Sequence, residues 1–81
     1  MGKKMLYEII VKDASNQYIV GRISGILETI CGDRKDLTRY TNVSVDDMNF
    51  EIIRIEATER KFRKARKIIE QLYPNKCAFL N

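Results

Sequence analysis

The residues best placed to do chemistry in this sequence are cations. Arg60, Lys61, Arg63, Lys64, Arg66 and Lys67 put six basic side chains into eight consecutive positions. The 81 residues carry 15 Lys and Arg against 11 Asp and Glu, a net charge of +4. Outside that window nine bases face eleven acids, so one short segment holds the whole excess. A dense row of cations is suited to holding phosphates or another polyanion, with an affinity that falls as salt rises. Arg34, Lys35 and Arg39 extend that track if the fold brings them to the same side.

Other chemistries lack their residues. With no His and no Trp, Ser-His and Cys-His nucleophile pairs, imidazole metal sites and the usual base near neutral pH are all missing. Cys31 and Cys77 have 45 residues between them and no CxxC occurs, so both read as small apolar core residues in a reducing compartment. The acidic pairs Asp33/Asp36 and Asp46/Asp47 fall in turns, where solvated carboxylates serve solubility better than catalysis. The expectation is a protein that is not an enzyme and holds no metal or cofactor. No apolar run is long enough to cross a bilayer, and no h-region follows Met1-Gly2-Lys3-Lys4, which together predict a cytoplasmic protein.

The length suits a single domain spanning residues 1–81. Alternation of Tyr7, Ile9 and Val11 with Leu6, Glu8, Ile10 and Lys12 predicts a first strand over Met5–Lys12, one face wholly apolar. Ser15 or Asn16 then caps a helix over Gln17–Cys31, whose stripe is Ile19, Ile23, Ile26, Leu27 and Ile30, with Gly32 as a left-handed C-cap. Gly21 and Gly25 inside that helix predict close approach of the sheet or another helix. Leu37–Val45 reads as a weaker strand and Phe50–Ala57 as the strongest, with Ile53, Ile55 and Ala57 inward. Thr58 caps the second helix, which ends near Leu72 or Tyr73 because Pro74 follows. A short strand over Lys76–Leu80 completes the chain.

This β-α-β-β-α-β order resembles the ferredoxin-like, split βαβ arrangement at the level of topology. The resemblance implies an α+β fold in which a four-stranded antiparallel sheet carries both helices on one face. RNA-recognition modules of this shape stack bases on aromatics of the central strands, and here Phe50 would be the only aromatic on the open face of those strands. Metal chaperones of this shape carry a CxxC at the first helix, where this chain has Asn16-Gln17-Tyr18. The loop Asp13-Ala14-Ser15-Asn16 has no glycine, unlike small-molecule sensors.

On a helical wheel Phe62, Ala65, Ile68, Ile69, Leu72 and Tyr73 fill the packed arc, while Arg60, Arg63, Lys64 and Lys67 form an outward stripe. Lys61 and Arg66 flank the apolar arc, and Glu59–Arg63 and Glu70–Arg66 are spaced for ion pairs. A solvated face is the plain account of such a stripe. Against it, the cations crowd one another and lie toward the helix N-terminal half, where the dipole disfavours them. The expectation is therefore a small accessory or regulatory protein binding RNA in preference to DNA, since no recognition helix, arm or half-site pattern is visible. Membrane-surface binding is disfavoured because the core needs the helix's apolar face. The alternative is a protein-binding regulator or inhibitor acting through the open sheet face (Leu6, Ile10, Phe50, Ile52), and a homodimer is expected either way. In size and composition the chain is also similar to phage-encoded accessory proteins that antagonise host factors.

Overall fold

A computed structural model describes residues 3–12, 17–32, 37–46 and 48–80, with only the backbone at 38–43 and 45. The architecture is α+β. In chain order the elements are β1 (Lys4–Val11), α1 (Gln17–Cys31), β2 (Leu37–Val45), β3 (Met48–Thr58), α2 (Glu59–Leu72) and β4 (Cys77–Leu80). The strands form one sheet in the order β2-β3-β1-β4, every pairing antiparallel.

The long central pair is β1 with β3, registered from Lys4 opposite Thr58 to Val11 opposite Glu51. Period-two alternation sends Tyr7, Ile9 and Val11 of β1, and Ile53, Ile55 and Ala57 of β3, into one layer. Against them pack Val20, Ile23, Leu27 and Cys31 of α1 and Phe62, Ala65 and Ile69 of α2, all in a single apolar cluster. Glu51 is fully buried on this face and has a partner. A break in register between Tyr40 and Val43 interrupts β2. Asp46, at φ 51°, takes the turn between β2 and β3 in the left-handed region that Asp tolerates.

Three expectations change. The buried stripe of α1 is centred on Val20, Ile23, Leu27 and Cys31, while Ile19, Ile26 and Ile30 are only partly buried along its flank. Gly21 and Gly25 are not sites of close approach, because a Cβ at either would meet nothing within 4 Å. Leu72, expected in the packed arc of α2, is 52% exposed, since the helix runs past its last buried residue, Ile69, before turning away. Gly32 does adopt a positive φ of 108° and donates its N–H to the Glu28 carbonyl, closing α1.

The other sheet face has no helix on it in the core cluster. Leu6 (54% exposed) and Leu80 (48%) lie there with half-buried Ile10, Ile52, Phe50 and Ala78. Glu8 and Arg54, register partners on the same face, make an ion pair at 2.7 Å.

Candidate nucleic-acid interface

The basic helix is set by what it buries. Phe62 stacks on Tyr7 with ring centroids 3.8 Å apart and 6° between planes, and meets Phe79 edge-on at 6.1 Å. With Ala65 and Ile69 these contacts fix the rotation of α2 about its axis. Thr58 opens the helix in an extended conformation, and its hydroxyl accepts the Lys61 N–H at 3.4 Å. All six cations of Arg60, Lys61, Arg63, Lys64, Arg66 and Lys67 consequently stand exposed.

They are not equivalent. On the flank toward β4, Arg63 pairs with Glu59 at 2.5 Å and Arg66 with Glu70 at 2.6 Å, both across one helical turn. The Arg66 guanidinium also lies 4.8 Å from the centroid of the Phe79 ring. These exposed pairs contribute only about 0.3–0.5 kcal/mol each, but they hold two of the six cations against acids. Arg60, Lys61, Lys64 and Lys67 have no ion pair among the described residues.

On the opposite flank Arg60, Lys61 and Lys64 line an open cleft of about 1100 Å3, and Lys3 and Lys4 line it with them. Sequence reading passed over these two lysines. The signal was available: β3 runs straight into α2, so the start of its antiparallel partner β1 must lie beside the first turn of α2, and Lys4 is indeed opposite Thr58. The end of α1 closes the cleft with the uncharged Thr29 and Ile30. Among the described residues that line it, five are basic and one, Glu59, is acidic, and Lys4 has a partner of its own.

Of the remaining predicted track, Arg39 does not join the cleft. Arg34 and Lys35 lie outside the described residues. Arg39 sits on edge strand β2 opposite Ile53, five residues from the level of Thr58, which places its backbone about 17 Å along the strand from the cleft. Strand spacing thus separates Arg39 from the cleft cations.

Both cysteines are free thiols. Burial pushes Cys77 up to about 11, with Lys12 pulling it down and Glu70 adding to the rise. Burial also raises Cys31, opposed by the ammonium of Lys61. Neither favours the thiolate that nucleophilic or metal chemistry requires. Among the described residues no group of three or more His, Cys, Asp and Glu converges, and no helix is long and apolar enough to cross a membrane. Comparison with protein families, curated proteins and solved structures finds no match to this chain.

Proposed function

We propose that this chain is a non-enzymatic, cytoplasmic RNA-binding accessory protein that holds phosphates on the cleft-side flank of α2. The observation carrying this reading is the set of unpaired cations Arg60, Lys61 and Lys64 facing Lys3 and Lys4 across one cleft. Cations so placed repel one another, and a polyanion relieves that repulsion while releasing its own counterions. The strand order β2-β3-β1-β4, with both helices in one core layer, supports reading the domain as ferredoxin-like. RNA is preferred over DNA because no recognition helix, arm or half-site pattern is visible among the described residues. Regulation of a host factor, in the manner of phage accessory proteins, is the role we assign to such binding.

The test is fluorescence anisotropy with a labelled single-stranded RNA of about 20 nucleotides at 50 and 200 mM salt. Submicromolar affinity that collapses with salt is expected. Replacing Arg60, Lys61 and Lys64 together by Gln should cost about two orders of magnitude and flatten the salt slope by about 2. Replacing Arg63 and Arg66 should cost under about threefold, because their acids already hold them. Equal losses from the two flanks, or no binding at 50 mM salt, would refute the reading.

A second reading rests on the open sheet face, and its occupant is a second copy of the chain. Leu6, Ile10, Phe50, Ile52 and Leu80 form an apolar surface whose central charges, Glu8 and Arg54, neutralise each other. A near-neutral face suits its own copy, whereas two α2 faces would repel. A patch of about 26 by 14 Å across these three strands buries about 730 Å2 in all, the size of a weak association. Sedimentation should therefore show a concentration-dependent dimer, and Ile10→Lys with Ile52→Lys should leave only monomer. A monomer at 200 μM wild-type protein would remove this reading.

A further inference from the structure

β1 lies inside the sheet, yet β4 covers only the second half of it. β4 stands opposite Glu8–Val11, and among the described residues no strand lies beside Met5–Tyr7 on that edge. The direction of the backbone there follows from its neighbours. Lys12 donates its N–H to the Lys76 carbonyl at 2.8 Å, from β1 toward β4. Backbone groups alternate between the two edges of a strand, so those of Ile10, Glu8 and Leu6 face the same way as those of Lys12. Ile10 has Ala78 opposite it, and Glu8 has Leu80. Leu6 is next in the series, and its N–H and C=O face the uncovered stretch.

Apolar side chains collect at the same place. Of the six large apolar side chains that stand exposed among the described residues, three are Met5, Leu6 and Leu80. Met5 and Leu6 point to opposite faces of the sheet, so apolar surface borders the gap on both sides. On the helix side a cavity of about 370 Å3 opens beside Met5, and Tyr7, Phe62 and Phe79 line it.

We propose that this gap takes an extended, acidic segment of a partner protein, which adds to β1 in line with β4. The partner residue opposite Leu6 exchanges two backbone hydrogen bonds with it. The residue opposite Met5 turns an apolar side chain toward the aromatic lining of the cavity. The surface goes beyond the RNA site, since Leu6 is no part of the cleft. Charge selects the partner. Lys3 and Lys4 lie at one end of the gap and Arg63 and Arg66 line the cavity, with Glu59 as the one acid there. Lys4, Arg63 and Arg66 have partners of their own, so these cations steer an acidic segment while the backbone and the cavity hold it. Glu8, on the open face, is held by Arg54. A second copy fits less well, because antiparallel self-pairing at Leu6 gathers Lys3 and Lys4 of both chains, and like charges so placed repel.

The probe is a synthetic peptide, acetyl-Asp-Val-Thr-Leu-Asp-Glu-amide, titrated into isotope-labelled protein while amide resonances and hydrogen exchange are followed. In line with β4, its Thr stands opposite Leu6, its Leu opposite Met5, and its last two acids opposite Lys4 and Lys3. A dissociation constant of about 0.1 mM is expected for so short a pairing. At saturation the Leu6 amide should exchange about fivefold more slowly, while those of Tyr7 and Ile9, which face β3, stay as they were. Methylating the Thr amide nitrogen should weaken binding about tenfold. Replacing the three acids by Asn and Gln should weaken it about threefold at low salt. Leu6→Pro deletes the N–H that faces the gap, a change that strand edges accept, and should abolish binding with the circular dichroism spectrum retained. If that variant unfolds, the methylated peptide tests the same pairing on the wild-type protein. Equal binding of methylated and parent peptides would overturn strand addition, as would unchanged resonances at about 1 mM peptide. Undiminished affinity of the Asn/Gln peptide would overturn the acidic partner. Protection of Leu6 that grows with protein concentration alone would give the gap to a second copy, and the proposal would fail.

Discussion

The two flanks of α2 are built from the same residue types and end in different electrostatic states. Toward β4, Arg63 and Arg66 each find an acid one turn away, and Phe79 lies beneath the second guanidinium. Toward the end of α1, Arg60, Lys61 and Lys64 find two more lysines. On the first flank both arginines are held by acids, and these pairs add a few tenths of a kcal/mol of helix stability. The second brings like charges together, which costs free energy in the isolated protein and is the term the proposed polyanion would relieve. The count of basic residues in a helix therefore says less about binding than the count left without an acid after folding.

The comparison can be broken most drastically by undocking the helix. Phe62→Ala removes the ring that stacks on Tyr7 and meets Phe79, at a cost of about 3–5 kcal/mol. In a domain of this size that should lower the thermal midpoint by about 12 °C or more and abolish RNA binding by either flank. Retained binding after such a loss would show that the fold does not organise the cations. A smaller effect sharpens the contrast from the opposite side. Glu59→Gln with Glu70→Gln frees Arg63 and Arg66, so affinity at 50 mM salt should rise about three- to tenfold with a steeper salt slope. If affinity stays constant, the paired flank lies outside the path of the polyanion even when unpaired.

The smallest effects lie at Ser24 and Gly25 of α1, which line neither the cleft nor the ion pairs and supply a control. The Ser24 hydroxyl is buried at 6% exposure without a hydrogen-bond partner, so Ser24→Ala should raise stability by up to about 1 kcal/mol, or about 4 °C. Gly25→Ala, with open space around its new methyl, should add a similar amount through helix propensity. Scanning calorimetry would detect both, and RNA affinity should stay within twofold.

Much of this molecule was legible in its residues, for local reasons. Tyr7, Ile9 and Val11 alternate with polar and apolar neighbours, and only one face could be buried. Thr58 before Glu59, and Pro74 after Tyr73, mark the ends of α2 because a capping hydroxyl and a proline act within one turn. The i, i+4 pairs Glu59–Arg63 and Glu70–Arg66 follow from helix pitch alone. Gly21 and Gly25 misled for the opposite reason. A glycine signals either close approach or no contact at all, and only the neighbouring elements distinguish these. Lys3 and Lys4 were passed over because their partners lie more than fifty residues away in the chain.

By itself, the sequence determined the elements, their buried faces and the concentration of positive charge on one helix, since each depends on periodicity and nearest neighbours. Tertiary structure alone decided which of those cations stand together. The antiparallel register of β1 with β3 carries Lys3 and Lys4 to the first turn of α2 and leaves Arg39 on the sheet's far edge strand. Coulomb energies depend on distance through space, and for residues remote in sequence that distance is set by strand pairing.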